Sequence, residues 1–141
     1  MREQLEKLKI DQPLQGGRQH YLRWRTLATA QHWEAAEMSY DSTLGFADRA
    51  GFRCGVCFEY PLYDVAARKP LKLRERPLIV MECGVIDARY MALGTGERAR
   101  ETMVGLKREC ERYNGDFTLL WHNHRLLGRR ERELYEAVLD A

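Results

Sequence analysis

The feature that most constrains this chain is an apolar run, an amphipathic stretch and a second apolar run in close succession. Pro77 to Cys83 (Pro-Leu-Ile-Val-Met-Glu-Cys) is nearly continuous apolar sequence, the pattern of a strand covered on both faces. Ala99, Met103, Leu106, Cys110 and Tyr113 recur at four- and three-residue steps and draw one apolar stripe on a helix. Thr95 can cap that helix, and Asn114-Gly115 can stop it in the left-handed region. Phe117 to Trp121 (Phe-Thr-Leu-Leu-Trp) follows as a second buried strand. Strand, helix and strand with short joins make a βαβ unit, so the two strands are expected to be parallel.

The other elements are shorter. Arg2–Ile10 reads as a helix with Leu5 and Leu8 on one face, ended by Pro13 and the Gly16-Gly17 turn. Arg18–Arg25 alternates like a strand. Thr26 or Thr29 can cap a helix running to about Met38 with Trp33 inward, and Ser39–Leu44 is a short strand. Residues 45–76, with Gly45, Gly51, Gly55, Pro61 and Pro70 set among aromatics, read as a long irregular loop, with room for a hairpin. A last helix from about Arg129 to Leu139 buries Leu134, Tyr135, Val138 and Leu139. The expected fold class is α/β, with about four mainly parallel strands and flanking helices. A chain of 141 residues is expected to form a single domain, 1–141, and a full parallel α/β barrel needs about 250 residues.

Composition excludes several function classes. Twenty-three Lys+Arg against 21 Asp+Glu leave a net charge of +2, so nothing points to nucleic acid. No apolar run nears the roughly 20 residues of a membrane helix, and Met1–Ile10 has no apolar signal core, so a cytoplasmic location is expected. Four cysteines are too few for a disulfide scaffold.

In parallel α/β folds reactive groups gather at the carboxyl ends of strands. That rule selects His122, delivered by Phe117–Trp121, and also Asp41, Glu82 with Asp87, and the Arg18, His20 and Arg23 group. A histidine so placed can pass a proton near neutral pH, or simply hydrogen-bond a neighbouring loop. His122 and His124 lack a third ligand nearby, so no metal site is expected there. Cys54-Gly55-Val56-Cys57 has zinc or redox spacing, but no second pair accompanies it, and two small loop residues are the favoured reading. Arg18 or Arg23 could grip a carboxylate, and Trp24, Trp33 or Trp121 could stack on sugar or belong to the core. Gly94-Thr95-Gly96 lacks the spacing and the Lys of a phosphate loop.

Four stretches then stand out together: Gly-Gly-Arg-Gln-His-Tyr-Leu-Arg-Trp at 16–24, Tyr-Asp-Ser-Thr-Leu-Gly-Phe at 40–46, Gly-Phe-Arg-Cys-Gly at 51–55 and Leu-Leu-Trp-His-Asn at 119–123. In this order and spacing the set resembles the C-terminal half of polysaccharide deacetylases, the NodB-like carbohydrate esterases. The resemblance implies part of an irregular (β/α) barrel and removal of an N- or O-acetyl group from a sugar. It implies His122 as the acid, Arg18 as the arginine that steadies the base, and Asp41 as its acidic partner. Trp121, Asn123 and Tyr21 are the expected substrate contacts. The family's divalent metal, commonly zinc, is held by an Asp-Asp pair and a His-x-x-x-His motif, and neither occurs in this sequence. The expectation is therefore an incomplete enzyme that pairs with a complementary N-terminal half or forms a homodimer. The alternative is a non-catalytic relative that binds glycans or a partner.

Overall fold

The computed structural model describes residues 7–9 and 13–141. The expected helix Arg2–Ile10 falls for the most part outside the described residues. The chain divides into two compact units, Met1–Thr43 with Glu59–Arg76, and Leu44–Phe58 with Pro77–Ala141. Both are mixed α/β. Three of the four strand pairings among the described residues are parallel and one is antiparallel. Those residues show no closed barrel, and no helix among them is long and apolar enough to cross a membrane.

The first unit is a four-stranded sheet in the order β1-β2-β4-β3. Its strands are β1 (Gly16–Gly17), β2 (Tyr40–Asp41), β3 (Tyr60–Asp64) and β4 (Lys69–Glu75). Gly16 lies opposite Tyr40, and a Cβ there would collide with the Tyr40 carbonyl and ring, so the close approach of β1 requires glycine. Along β4, Leu71, Leu73 and Glu75 face inward and Lys72 and Arg74 outward, the alternation of a half-buried strand. β3 and β4 form a hairpin closed by Asp64, whose Oδ1 accepts the Ala67 amide at 2.9 Å. The hairpin thus occupies much of the stretch read from sequence as loop 45–76.

Helix α1 (Thr29–Ala35) buries Ala30 and Trp33. Its Glu34 carboxylate accepts the Lys72 and Leu73 amides of β4 at 3.1 and 2.8 Å. The helix stops at Ala35 rather than near Met38. Glu37 turns left-handed (φ 54°), and the Met38→Trp33 and Glu37→Glu34 backbone bonds close a Schellman motif. Thr29 is not its N-cap, since its hydroxyl accepts the Arg25 amide from inside the first turn.

Arg18–Arg25 is not a strand. The ladder ends at Gly17, and the Gln19 N–H, two residues on, bonds the Thr43 hydroxyl at 3.0 Å. Tyr21 (φ 59°) and Leu22 (φ 50°) then curl into a 3-10 turn over His20–Leu22, a backbone that no strand can accommodate.

The second unit holds β5 (Val80–Met81) and β6 (Leu119–Leu120), which pair in parallel as the βαβ reading expects, with Val80 opposite Leu119 and Met81 opposite Leu120. Leu78 to Met81 are all buried, but the ladder is only two residues long. The backbone turns at once into α2 (Glu82–Ile86), so Glu82 and Cys83 are helical rather than extended. Between the strands runs α3 (Glu97–Arg112), burying Ala99, Met103, Val104 and Cys110. Gly96, with no side-chain bond, is its N-cap, and Thr95 does not cap it. Asn114 (φ 58°) ends it, with the Gly115→Cys110 and Asn114→Glu111 bonds of a Schellman motif. Helix α4 (Arg129–Leu139) adds Leu134 and Val138 to the core, while Leu139 stays exposed. Lys107 Nζ donates to the Val138 and Leu139 carbonyls at 3.1 and 2.7 Å and satisfies its C-terminus.

Candidate functional site

Parallel pairing decides what meets at the end of the second sheet. β5 and β6 run in step and stop at Met81 and Leu120, so the residues just beyond them leave at the same edge. Those residues are Glu82 on one side and Trp121 and His122 on the other. Glu82 is fully buried, and its Oε1 lies 2.5 Å from His122 Nδ1. The same oxygen lies 3.2 Å from Arg125 Nε. Arg125 Nη2 donates to Asp87 Oδ1 at 2.5 Å, and Nη1 lies 3.7 Å from Glu131 Oε1.

The arrangement is a row: an exposed-edge imidazole, a buried carboxylate, a largely buried guanidinium and two flanking carboxylates. Burying Glu82 costs several kcal/mol unless its charge is met, and Arg125 and the imidazole meet it. Burial pulls the Arg125 guanidinium down, but the hydrogen bond and charge of Asp87 and the charge of Glu82 outweigh it and raise its pKa. Glu82 holds Nδ1, which leaves Nε2 as the nitrogen able to exchange a proton with a bound molecule. The His122 side chain is 44% exposed, so that exchange is open to one.

Glu82, Cys83 and His122 also offer three donor atoms within 4.8 Å of one another. They do not fit the zinc that the resemblance implies. Arg125 already neutralises the Glu82 carboxylate, Glu82 Oε1 and His122 Nδ1 are bonded to each other, and none of the three residues belongs to the Asp-Asp or His-x-x-x-His sets. Burial, with Glu82 and Asp87 nearby, pushes the Cys83 thiol up and keeps it protonated.

Arg18 and Asp41 fall together in the first unit, whereas His122 belongs to the second. Asp41 is fully buried and accepts twice from Thr43, Oδ1 from the hydroxyl at 2.6 Å and Oδ2 from the amide at 3.0 Å. Arg18 Nε donates to the Ser42 carbonyl at 2.7 Å and Nη2 to its hydroxyl at 2.9 Å. Buried Glu75 lies opposite Asp41 across β2 and β4. Burial lowers the Arg18 pKa, against the pull of Asp41, Glu75 and Tyr40. Arg18 thus balances two buried carboxylates while bonding the turn that follows Asp41.

Trp121 is half-buried, its ring tilted at 59° to that of Tyr135 with centroids 5.2 Å apart, and is packed on the core. Asn123 opens an exposed 3-10 turn. Tyr21 is three-quarters exposed, with the Arg23 guanidinium 5.7 Å from its ring centre. The His122 and His124 rings lie 5.7 Å apart.

Glu82 and Arg125 complete the site: the strand-end rule selects Glu82, although the set of His122, Arg18 and Asp41 does not include it, and Arg125 is absent from both. A signal for Glu82 existed: a lone acid ending a run covered on both faces needs a partner. Arg125 carried none, because the 3-10 turn that brings it back to Glu82 leaves no mark on sequence periodicity. No family model, curated protein or solved structure matches this chain, so its site is read from its own residues.

Proposed function

We propose that the chain is the proton-donating portion of a carbohydrate deacetylase built on an irregular (β/α) barrel. The observation that supports this most is the 2.5 Å bond from His122 Nδ1 to buried Glu82, with the imidazole at the open end of a parallel strand pair. When an acetyl group leaves a sugar, the departing nitrogen or oxygen must gain a proton as its bond to the acyl carbon breaks. His122 Nε2 supplies it, and Glu82 fixes the ring and supplies countercharge to the imidazolium. Arg125 holds Glu82, and Asp87 holds Arg125.

Trp121 and Asn123 are the proposed sugar contacts of the second unit, and Tyr21 that of the first. Arg18 and Asp41 are proposed to support the base, which this sequence does not itself contain. That base and the carbonyl-polarising metal would come from the Asp-Asp and His-x-x-x-His motifs of a complementary N-terminal half.

A second reading is a glycan- or partner-binding module without turnover. It is favoured by the missing motifs and by a concavity rimmed by exposed Phe58 and Tyr113.

The test is to combine the full chain with a deacetylase N-terminal half bearing both motifs, zinc and acetylated chitin oligosaccharides, and to measure acetate. The expected result is release that falls about 10²- to 10³-fold in His122→Ala. Release unchanged in that variant removes His122 from the chemistry. Calorimetric glycan binding with no acetate from any combination replaces the first reading by the second.

A further inference from the structure

Two cysteines far apart in sequence are brought to one turn. At the end of α3 the Gly115 amide donates to the Cys110 carbonyl at 2.8 Å, and the next amide, Asp116 N–H, donates to the Cys57 carbonyl at 2.6 Å. There the Cys57 side chain adjoins that of Cys110. Both residues are buried, and a Cβ on Gly115 would overlap the Cys57 sulfur, so glycine makes the room for it. Cys57 also lines an apolar concavity of about 250 Å³ with Phe52, Val56, Phe58 and Tyr113, which brings a small oxidant up to that residue. Within the Cys54–Cys57 spacing, Cys54 sends its thiol toward the Leu44 carbonyl at 3.6 Å.

We propose that Cys57 and Cys110 are a redox pair, joined in a disulfide by a two-electron oxidant of the peroxide or disulfide class. With hydrogen peroxide, the Cys57 sulfur attacks one oxygen, the O–O bond breaks, and a sulfenic acid and water form. The Cys110 sulfur then attacks the Cys57 sulfur, the S–O bond breaks, and the departing hydroxide takes the Cys110 proton as a second water. Two thiols are oxidised and one peroxide is reduced. With glutathione disulfide, the same two electrons and two protons yield two glutathione thiols.

Because both sulfurs are buried, the reaction is slow. Its product is a tether between segment 44–58 and the end of α3, just before the strand that delivers His122. The pairing does not depend on what His122 does.

The test uses the reduced full chain incubated with glutathione disulfide or hydrogen peroxide, followed by intact-mass and peptide mapping. The expected result is loss of two hydrogens and a single cross-linked peptide pair carrying Cys57 and Cys110, reversed by dithiothreitol. The oxidised chain melts roughly 5–10 °C higher. Cys57→Ala and Cys110→Ala each lose the link, and Cys54→Ala and Cys83→Ala keep it. A map showing Cys54 joined to Cys57, or only mixed glutathione adducts or separately oxidised sulfurs, overturns the proposal. That map is read on the natural chain, so it decides even where a variant fails to fold.

Discussion

His122 Nδ1 and Glu82 Oε1 lie 2.5 Å apart although 40 positions separate them in sequence. The carboxylate is buried and the imidazole is partly exposed, so one partner is fixed by the core while the other meets solvent. Replacing Glu82 by Gln keeps the shape and removes the charge. The Nδ1 proton of His122, expected as a downfield, exchange-protected resonance in the natural chain, should then move upfield and exchange faster. A proton spectrum identical in the two proteins would show that the bond does not form in solution.

Arg125 is the centre of charge for Glu82, Asp87 and Glu131. Arg125→Met leaves the buried Glu82 without its guanidinium and should cost about 3–5 kcal/mol in urea unfolding. Arg125→Lys should recover little, since one ammonium cannot span carboxylates that the planar fork reaches from different nitrogens. The double change Glu82→Gln with Arg125→Met should cost less than the sum of the two, by about 0.5–3 kcal/mol. Strict additivity would mean that the pair contributes nothing.

Two glycines near α3 make opposite predictions. Gly105 lies inside the helix with nothing near the position of a Cβ, so Gly105→Ala should stabilise by roughly 0.5–1 kcal/mol. At Gly115 a Cβ would overlap the Cys57 sulfur and crowd its carbonyl, so Gly115→Ala should destabilise by roughly 1–3 kcal/mol. Thermal melts of the two variants should move apart in direction. A shared direction would show that the Cys57–Gly115 contact is loose enough to admit a methyl group.

What sequence could show follows from how local each signal is. The parallel β5–β6 pair and α3 were legible because continuous apolar runs and a 3.6-residue stripe are written within single elements. The left-handed stop at Asn114 was legible for the same reason. Strand lengths were not, since Glu82 and Cys83 extend the apolar run while the backbone has already turned helical. The alternation in Arg18–Arg25 misled, because tertiary bonds from Gln19 and Arg18 to the Ser42–Thr43 turn draw the chain out of the ladder. Of the site, His122 was visible as the end of a strand, but its tie to Glu82 depends on register, which no window of sequence contains. The cysteine spacing set Cys54 beside Cys57, with two small loop residues as the favoured reading, and gave no sign of Cys110, 53 positions after Cys57, whose side chain adjoins it.

Cys110 gives the fold a pH dependence with a definite sign. Burial first, then the neighbouring Cys57 and the charge of Asp116, push its thiol up from an ordinary 9.0 to about 12. Below about pH 9 the thiol is protonated in both folded and unfolded chains, and its contribution to stability is fully present. Between about 9 and 12 the unfolded chain releases the proton while the folded chain keeps it, so unfolding becomes progressively more favourable. Lysines and tyrosines titrate in the same range, so the informative quantity is the natural chain compared with Cys110→Ala. That variant carries a pH-independent packing loss, and its unfolding free energy should fall less steeply from pH 9 upward. Urea titrations at pH 8, 9, 10 and 11 measure both slopes. Parallel curves across that window would mean that the thiol ionises as readily in the folded chain as in the unfolded one, and that the contact with Cys57 is not buried.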